Sequence, residues 1–369
     1  MSPPEPRLRA RDLGVVIGSY APGAHNAITD VPGVEVGETT VSWGGPDLPA
    51  GEGPARTGVT VIWPARDVLA NPVAAGCFVL CGAGELTGRS EIEELGHIAT
   101  PIALTGTMQV GLVHDALCRY FIERVPGIGG DQGVLIPVVA ECDDSYLHDA
   151  RGFHLTREHV HAALDRATGG PVAEGCVGGG TGMVCFNLKG GIGTSSRILP
   201  RGEGGWAVGA LVMTNFGRRA RLTFAGVPLG RYLPPVPPVP DEPPADRGSC
   251  IVVVATDAPL DGRQLARVAK RAALGLGRTG STGSTGSGEL LIAFSTSYRP
   301  REPPGSLRRL TIESDTIDPI FVATIDAVEE AVLGSLCMAE TTTGRYGRVV
   351  PALDLQLVRA VLARYPGGA

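Results

Sequence analysis

The chain has 369 residues, 43% of them hydrophobic and 19% charged, with a formal net charge of −6. That balance describes a folded protein with a sizeable core, long enough for one large domain or two ordinary ones, and excludes a disordered chain. The acidic balance argues against nucleic acid, whose phosphates need a basic face, and no run of about 18 apolar residues exists to span a membrane.

The opening segment, Met1-Ser2-Pro3-Pro4-Glu5-Pro6-Arg7, has no apolar run behind its charges, so no secretory signal is expected. Thr29-Asp30-Val31-Pro32-Gly33 reads as a turn, and Val34-Glu35-Val36-Gly37 then alternates as a half-buried strand does. Val59-Thr60-Val61-Ile62-Trp63 and Val134-Leu135-Ile136-Pro137-Val138-Val139 read as further strands, the second of them buried. Residues 207–214 form an apolar run ending at Asn215-Phe216-Gly217, where the Asn can cap the strand end or donate to an oxyanion.

Residues 233–244 carry seven prolines and should run extended and solvated, outside any sheet. Residues 250–256 and 290–294 read as strands. Between them Leu265, Val268, Ala269, Ala272 and Leu276 recur at helical spacing, with Arg263, Arg267, Lys270 and Arg271 on the solvated face. The same spacing appears at Ile325, Val328, Val332 and Leu336, and again at Leu357, Val358, Val361 and Leu362. Strands and helices in comparable number predict sheets covered by helices.

Several motifs could carry chemistry. Val177-Gly178-Gly179-Gly180-Thr181-Gly182 lacks the lysine of a phosphate-binding loop and the acidic partner of a dinucleotide site, so it reads as a close backbone approach or a substrate loop. His148, His154, His159 and His161 show no metal-binding spacing and read as core or solvated histidines. The eight scattered cysteines have no paired spacing and suit thiols in a reducing compartment. Residues 277–289 have the composition of a flexible linker, yet end in Ser287-Gly288-Glu289 ahead of a strand, where a hydroxyl and a carboxylate can orient a nucleophile and an ammonium.

The junction Ala245-Asp246-Arg247-Gly248-Ser249-Cys250 stands where the proline-rich stretch gives way to the apolar run from Ile251. It reads either as a plain loop-to-strand transition or as the place of a serine that becomes a nucleophile when the bond before it is cut. Cutting frees an α-amine that can serve as the serine's own base. Cleavage after Ser249, with Cys250 as nucleophile, is the rival reading.

These residues in order resemble the DmpA/BapA family of self-processing L-aminopeptidase/D-esterases and β-peptidyl aminopeptidases. The matching segments are Asn26-Ala27-Ile28-Thr29-Asp30-Val31-Pro32-Gly33-Val34, Val177-Gly178-Gly179-Gly180-Thr181-Gly182-Met183 and Lys189-Gly190-Gly191-Ile192-Gly193-Thr194. Thr214-Asn215-Phe216-Gly217, Gly248-Ser249, and Ser287-Gly288-Glu289 before Ala293-Phe294-Ser295-Thr296 complete the set.

The resemblance implies an α+β fold, an αββα four-layer sandwich of the DmpA/ornithine-acetyltransferase type, like N-terminal-nucleophile hydrolases but differently connected. It implies one catalytic domain over 1–369, cut at Gly248-Ser249 into chains 1–248 and 249–369. Ser249 is then the nucleophile, Ser287 and Glu289 orient it and its amine, Asn215 stabilises the oxyanion, and Glu141 binds the substrate's amino terminus.

Two positions depart from the family. Asp143 stands where an aromatic oxyanion partner is common, which leaves Tyr146 as a candidate substitute, and Ala83 replaces a polar residue. The resulting expectation is a cytoplasmic homotetrameric aminopeptidase or amidase that needs no metal or organic cofactor, with a small peptide or amide as its partner and no nucleic acid or membrane. The alternatives are an acetyl-transferring relative and an uncut binding homologue without catalysis.

Overall fold

Side chains alternate along residues 251–255, putting Ile251, Val253 and Ala255 on one face of a strand and Val252 and Val254 on the other. Both faces are apolar, so both need cover. The computed structural model describes residues 6–235, 247–297, 299–300 and 316–365, and it supplies that cover as a second sheet on one side and two helices on the other.

The principal strands are β1 (Glu35–Trp43), β2 (Ala55–Trp63), β3 (Val73–Gly82), β4 (His97–Ile98), β5 (Ile102–Gly106), β6 (Val138–Cys142), β7 (Val184–Cys185), β8 (Leu188–Lys189), β9 (Ile192–Ile198), β10 (Ala207–Asn215), β11 (Arg247–Thr256) and β12 (Gly286–Ser295). The helices are α1 (Arg89–Leu95), α2 (Val110–Arg124), α3 (Arg157–Arg166), α4 (Gly262–Thr279), α5 (Asp318–Met338) and α6 (Leu355–Leu362).

A four-stranded sheet runs β1-β2-β5-β6, and a six-stranded sheet runs β4-β3-β12-β11-β10-β9. α2 and α3 lie against the first, α4 and α5 against the second. Ile251, Val253 and Ala255 meet Val61, Leu104 and Val139 in the core between the sheets. Cys250, Val252 and Val254 join the second core with α4 and α5. The architecture is the αββα sandwich that the resemblance implied.

Two strand pairings set the neighbours of Ser249. β10 and β11 pair antiparallel with Asn215 opposite Ser249, and β11 and β12 pair parallel with Ser249 opposite Gly288. The crossover between β11 and β12 is α4, which starts at an Asp261 cap accepting the Gln264 N–H at 2.8 Å and stops at Gly280, whose φ is 105°.

The three predicted helices form, each somewhat longer than its pattern. The strand expected over 134–139 is shifted: pairing begins at Val138, while Val134 and Ile136 are exposed, because the apolar run approaches the sheet before it joins. The segment 277–289, which has the composition of a linker, is partly taken up by two regular elements. Its first residues end α4 and its last open β12, leaving only a short turn between. The proline-rich stretch lies outside the described residues from 236 to 246, as do residues 1–5 of the opening segment.

Gly178–Gly180 of the glycine motif form a buried 3₁₀ turn wedged between the sheets. A Cβ on Gly179 would lie 2.7 Å from the Leu104 carbonyl and 2.9 Å from Met213 Sδ, one from each sheet. It is therefore a close backbone approach. Asn26, in the first matched segment, donates to Glu330 on α5 at 2.5 Å, and Glu330 also receives the buried Arg197 guanidinium at 2.6 Å.

Candidate active site

Pairing β10, β11 and β12 side by side brings their ends together at one edge of the space between the sheets. Ser249 shares the inward face with Ile251 and is 4% exposed. Asn215 Nδ2 lies 3.3 Å from Ser249 Oγ. The amide is clamped in that orientation: its Oδ1 accepts the Val184 N–H at 2.9 Å, and its Nδ2 also donates to the Asp143 carbonyl at 2.9 Å. An oriented amide beside a hydroxyl is the geometry of an oxyanion donor.

On the next strand, Ser287 Oγ donates to Glu289 Oε1 at 2.6 Å, both side chains being buried. Burial raises the Glu289 carboxyl above the usual carboxylate range, and the Ser287 hydrogen bond opposes that shift. Its second oxygen, Oε2, is buried without a hydrogen-bond partner among the described residues. The Cys81 thiol stands beside the same carboxylate while donating to the Gly283 carbonyl at 3.1 Å. A buried carboxylate with an oxygen to spare is suited to receive an ammonium.

The other sheet contributes β6, which packs against β11. Glu141, near its end, accepts the Glu85 N–H at 2.9 Å and a short hydrogen bond from Thr107 Oγ1, and burial raises its pKa. The backbone at residues 83 and 84 separates Glu141 from β12. A Cβ on Gly288 would lie 2.8 Å from the Ala83 carbonyl, so only glycine lets that loop approach β12. The Cys142 thiol lies beside Ser249 and is kept neutral by complete burial.

A cleft opens on the Gly248 side of Ser249, lined by Phe216, Arg218, Gly248, Ser287, Glu289 and the turn at 280–284. The turn that composition marked as a linker is thus a wall of the cleft. Cys250 faces away from it, fully buried under α4 and α5 with its thiol pKa pushed well up.

Tyr146, the candidate oxyanion partner, lies against Arg348. Its ring carries the Arg348 guanidinium 4.7 Å from the centroid, and its carbonyl accepts from Arg348 at 3.2 Å. Asp143 serves through its backbone carbonyl, not its side chain. The histidines go elsewhere: His148 is buried beside His154, with its pKa lowered to about 4 by burial, His159 caps α3, and His161 meets the Ala116 carbonyl. Thr107, Cys81 and Cys142 carried no sequence signal, because only folding sets them beside the carboxylates and the serine. Among the described residues no group of three or more His, Cys, Asp or Glu is placed to hold a metal ion.

Asp144, next to the carbonyl that orients Asn215, is fully buried, and burial pushes its carboxyl up to about 7. Its Oδ2 lacks a partner among the described residues. A folded-state pKa above the unfolded value of about 3.9 means a stabilising contribution present below that value and lost as pH rises through the folded one. Asp144→Asn mimics the neutral acid, so its unfolding midpoint relative to wild type should move in its favour from pH 4 to pH 8, by about 2 °C or more. A difference that stays constant with pH would refute the assignment.

The family model described as Peptidase family S58 matches residues 26–350. Beta-peptidyl aminopeptidase BapA of Sphingosinicella xenopeptidilytica is 47% identical over 376 residues, covering 97% of this chain and 92% of that protein. Among solved structures, the PH0078 protein of Pyrococcus horikoshii OT3 superposes with a TM-score of 0.89 at 44% identity, covering 97% of this chain and 99% of that one. The L-aminopeptidase D-Ala-esterase/amidase of Ochrobactrum anthropi, described as a prototype of the serine aminopeptidases and a new variant among the Ntn hydrolase fold, gives 0.85 at 39% identity. It covers 98% of this chain and 99% of its own.

Proposed function

The chain belongs to peptidase family S58 and is an aminopeptidase; on that premise we propose that it cuts itself at Gly248-Ser249 and then uses Ser249 to hydrolyse short peptides, amides or esters that carry a free amino terminus. The observation that carries this reading is the clamped Asn215 amide 3.3 Å from Ser249 Oγ, with the Ser287–Glu289 pair on the adjacent strand.

In self-cleavage, Ser249 Oγ adds to the Gly248 carbonyl carbon while Asn215 Nδ2 donates to the oxygen on which negative charge develops. The Gly248–Ser249 C–N bond breaks as its nitrogen takes the proton that Oγ gives up, leaving an ester. Water then hydrolyses the ester, giving a Gly248 carboxylate and a Ser249 with free hydroxyl and amine. In peptide hydrolysis that amine takes the Oγ proton and returns it to the leaving amine, and water releases the acyl group. Ser287 and Glu289 hold the new ammonium or amine, with the unpartnered Oε2 nearest the task. Glu141 pairs with the substrate's ammonium, which makes the enzyme an aminopeptidase and not an endopeptidase.

The similarity to a β-peptidyl aminopeptidase supports β-amino acids among the accepted N-terminal residues. Two of the relatives named carry hydrolase activities in their names, a β-peptidyl aminopeptidase and an aminopeptidase/esterase/amidase, which favours hydrolysis over acetyl transfer or binding without catalysis. All eight cysteines are free thiols, which supports a cytoplasmic location, and the resemblance supports a homotetramer. Intact-mass measurement of the purified protein should find two pieces, 1–248 and 249–369. A single full-length mass from a preparation that hydrolyses peptides would overturn the mechanism.

A further inference from the structure

We propose that Lys189 is a positioning residue for this reaction: its buried ammonium acts through the Met183–Val184 peptide to polarise the Asn215 amide that faces Ser249. The inference rests on the reading of Asn215 as the oxyanion donor.

Lys189 lies in β8 and is wholly inaccessible to solvent. A buried ammonium is costly to maintain, and burial pulls its pKa down. No step of self-cleavage or peptide hydrolysis uses it directly. Its three donors meet three backbone carbonyls, those of Met183 at 2.8 Å, Gly190 at 2.8 Å and Gly180 at 3.2 Å.

The first of these carbonyls belongs to the same peptide unit as the Val184 N–H, which donates to Asn215 Oδ1 at 2.9 Å. In a conjugated amide, a cation on the oxygen draws electron density from the nitrogen and makes its N–H a stronger donor. The Asn215 side chain is conjugated in the same way. A stronger bond to Oδ1 therefore strengthens the Nδ2 hydrogens, one of which faces Ser249 Oγ at 3.3 Å. The charge on Lys189 is thus transmitted through two planar amides to the point where an oxyanion forms.

A purely mechanical role would predict that the loop depends on the lysine for its shape. Yet the Met183 carbonyl is also held by the Gly190 N–H at 3.1 Å, so removing the lysine leaves that carbonyl a partner while taking the charge away from it.

Lys189→Met, Lys189→Gln, Asn215→Ala and the Asn215→Ala double variants separate the possibilities, with kcat and KM normalised to the processed fraction read by intact mass. Lys189→Met is expected to lower kcat roughly tenfold with KM within about twofold, a fraction of the loss for an entire oxyanion donor. Lys189→Gln, which retains amide donors without the charge, should fall with it. In the Asn215→Ala background Lys189→Met should cost less than about twofold, because residues acting as a unit are not additive.

Unchanged kcat in Lys189→Met beside an impaired Asn215→Ala would overturn the lysine's role and leave the Asn215 reading intact. An unimpaired Asn215→Ala would overturn that reading itself. Equal losses in both backgrounds, or failure of both lysine variants to fold, would assign Lys189 to the fold alone and overturn the proposal.

Discussion

Ser249→Ala should leave a single chain of 38.1 kDa where the wild type gives two pieces, and should hydrolyse no peptide. Two separate losses combine in that variant. The hydroxyl that attacks Gly248 is gone, so the α-amine that would serve as base is never released. Removing the nucleophile from an acyl-transfer enzyme costs a factor of about 10⁶ in kcat, which here falls below detection. Ser249 is buried but small, and alanine fits its place between β10 and β12, so the variant should fold normally. Cys250→Ala is the matched control: that thiol packs beneath α4 and α5, away from the cleft, and its loss should leave self-cleavage intact. A cut, active Ser249→Ala protein would end the case for this serine.

Asn215→Ala should lower kcat by roughly 10²- to 10³-fold, the usual cost of one preorganised oxyanion donor. The geometry argues for that range because the amide is already oriented before reaction by Val184 and Asp143. No reorganisation is needed when charge appears on the substrate oxygen. Self-cleavage passes through the same kind of oxyanion and should slow as well, so incompletely processed chain is expected in the preparation. KM should change little, since the contact strengthens only as the carbonyl becomes tetrahedral. A kcat within about threefold of wild type per processed site would mean that another group carries the charge.

The sequence made the helices from α4 onward legible because their apolar residues recur at helical spacing. It made the central strands legible because residues 251–255 and 290–294 are apolar on both faces. Other features were not legible. Gly, Ser and Thr dominate residues 277–289 and give them the composition of a linker, but composition does not reveal that the end of a helix and the start of a strand share those residues. Tyr146 was a candidate by proximity in sequence to Asp143, and the contact of its ring with Arg348 was not legible there. Asp143 looked like a lost aromatic partner, and its backbone carbonyl instead orients Asn215.

By itself the sequence determined the kind of chemistry. It named a serine at a strand start, a hydroxyl and carboxylate two residues apart, an amide at a strand end and an acidic residue in a buried run, and their order carried the family. Only the tertiary structure decided how these act on one another. Asn215 and Ser249 are 34 positions apart in the chain and meet because antiparallel pairing sets them opposite, while Glu141 arrives on the other sheet. The influence proposed for Lys189 likewise passes through a peptide unit whose neighbours are set by folding. Side-chain types are local properties of a sequence, but hydrogen-bond geometry depends on which strand lies beside which, and long-range packing settles that.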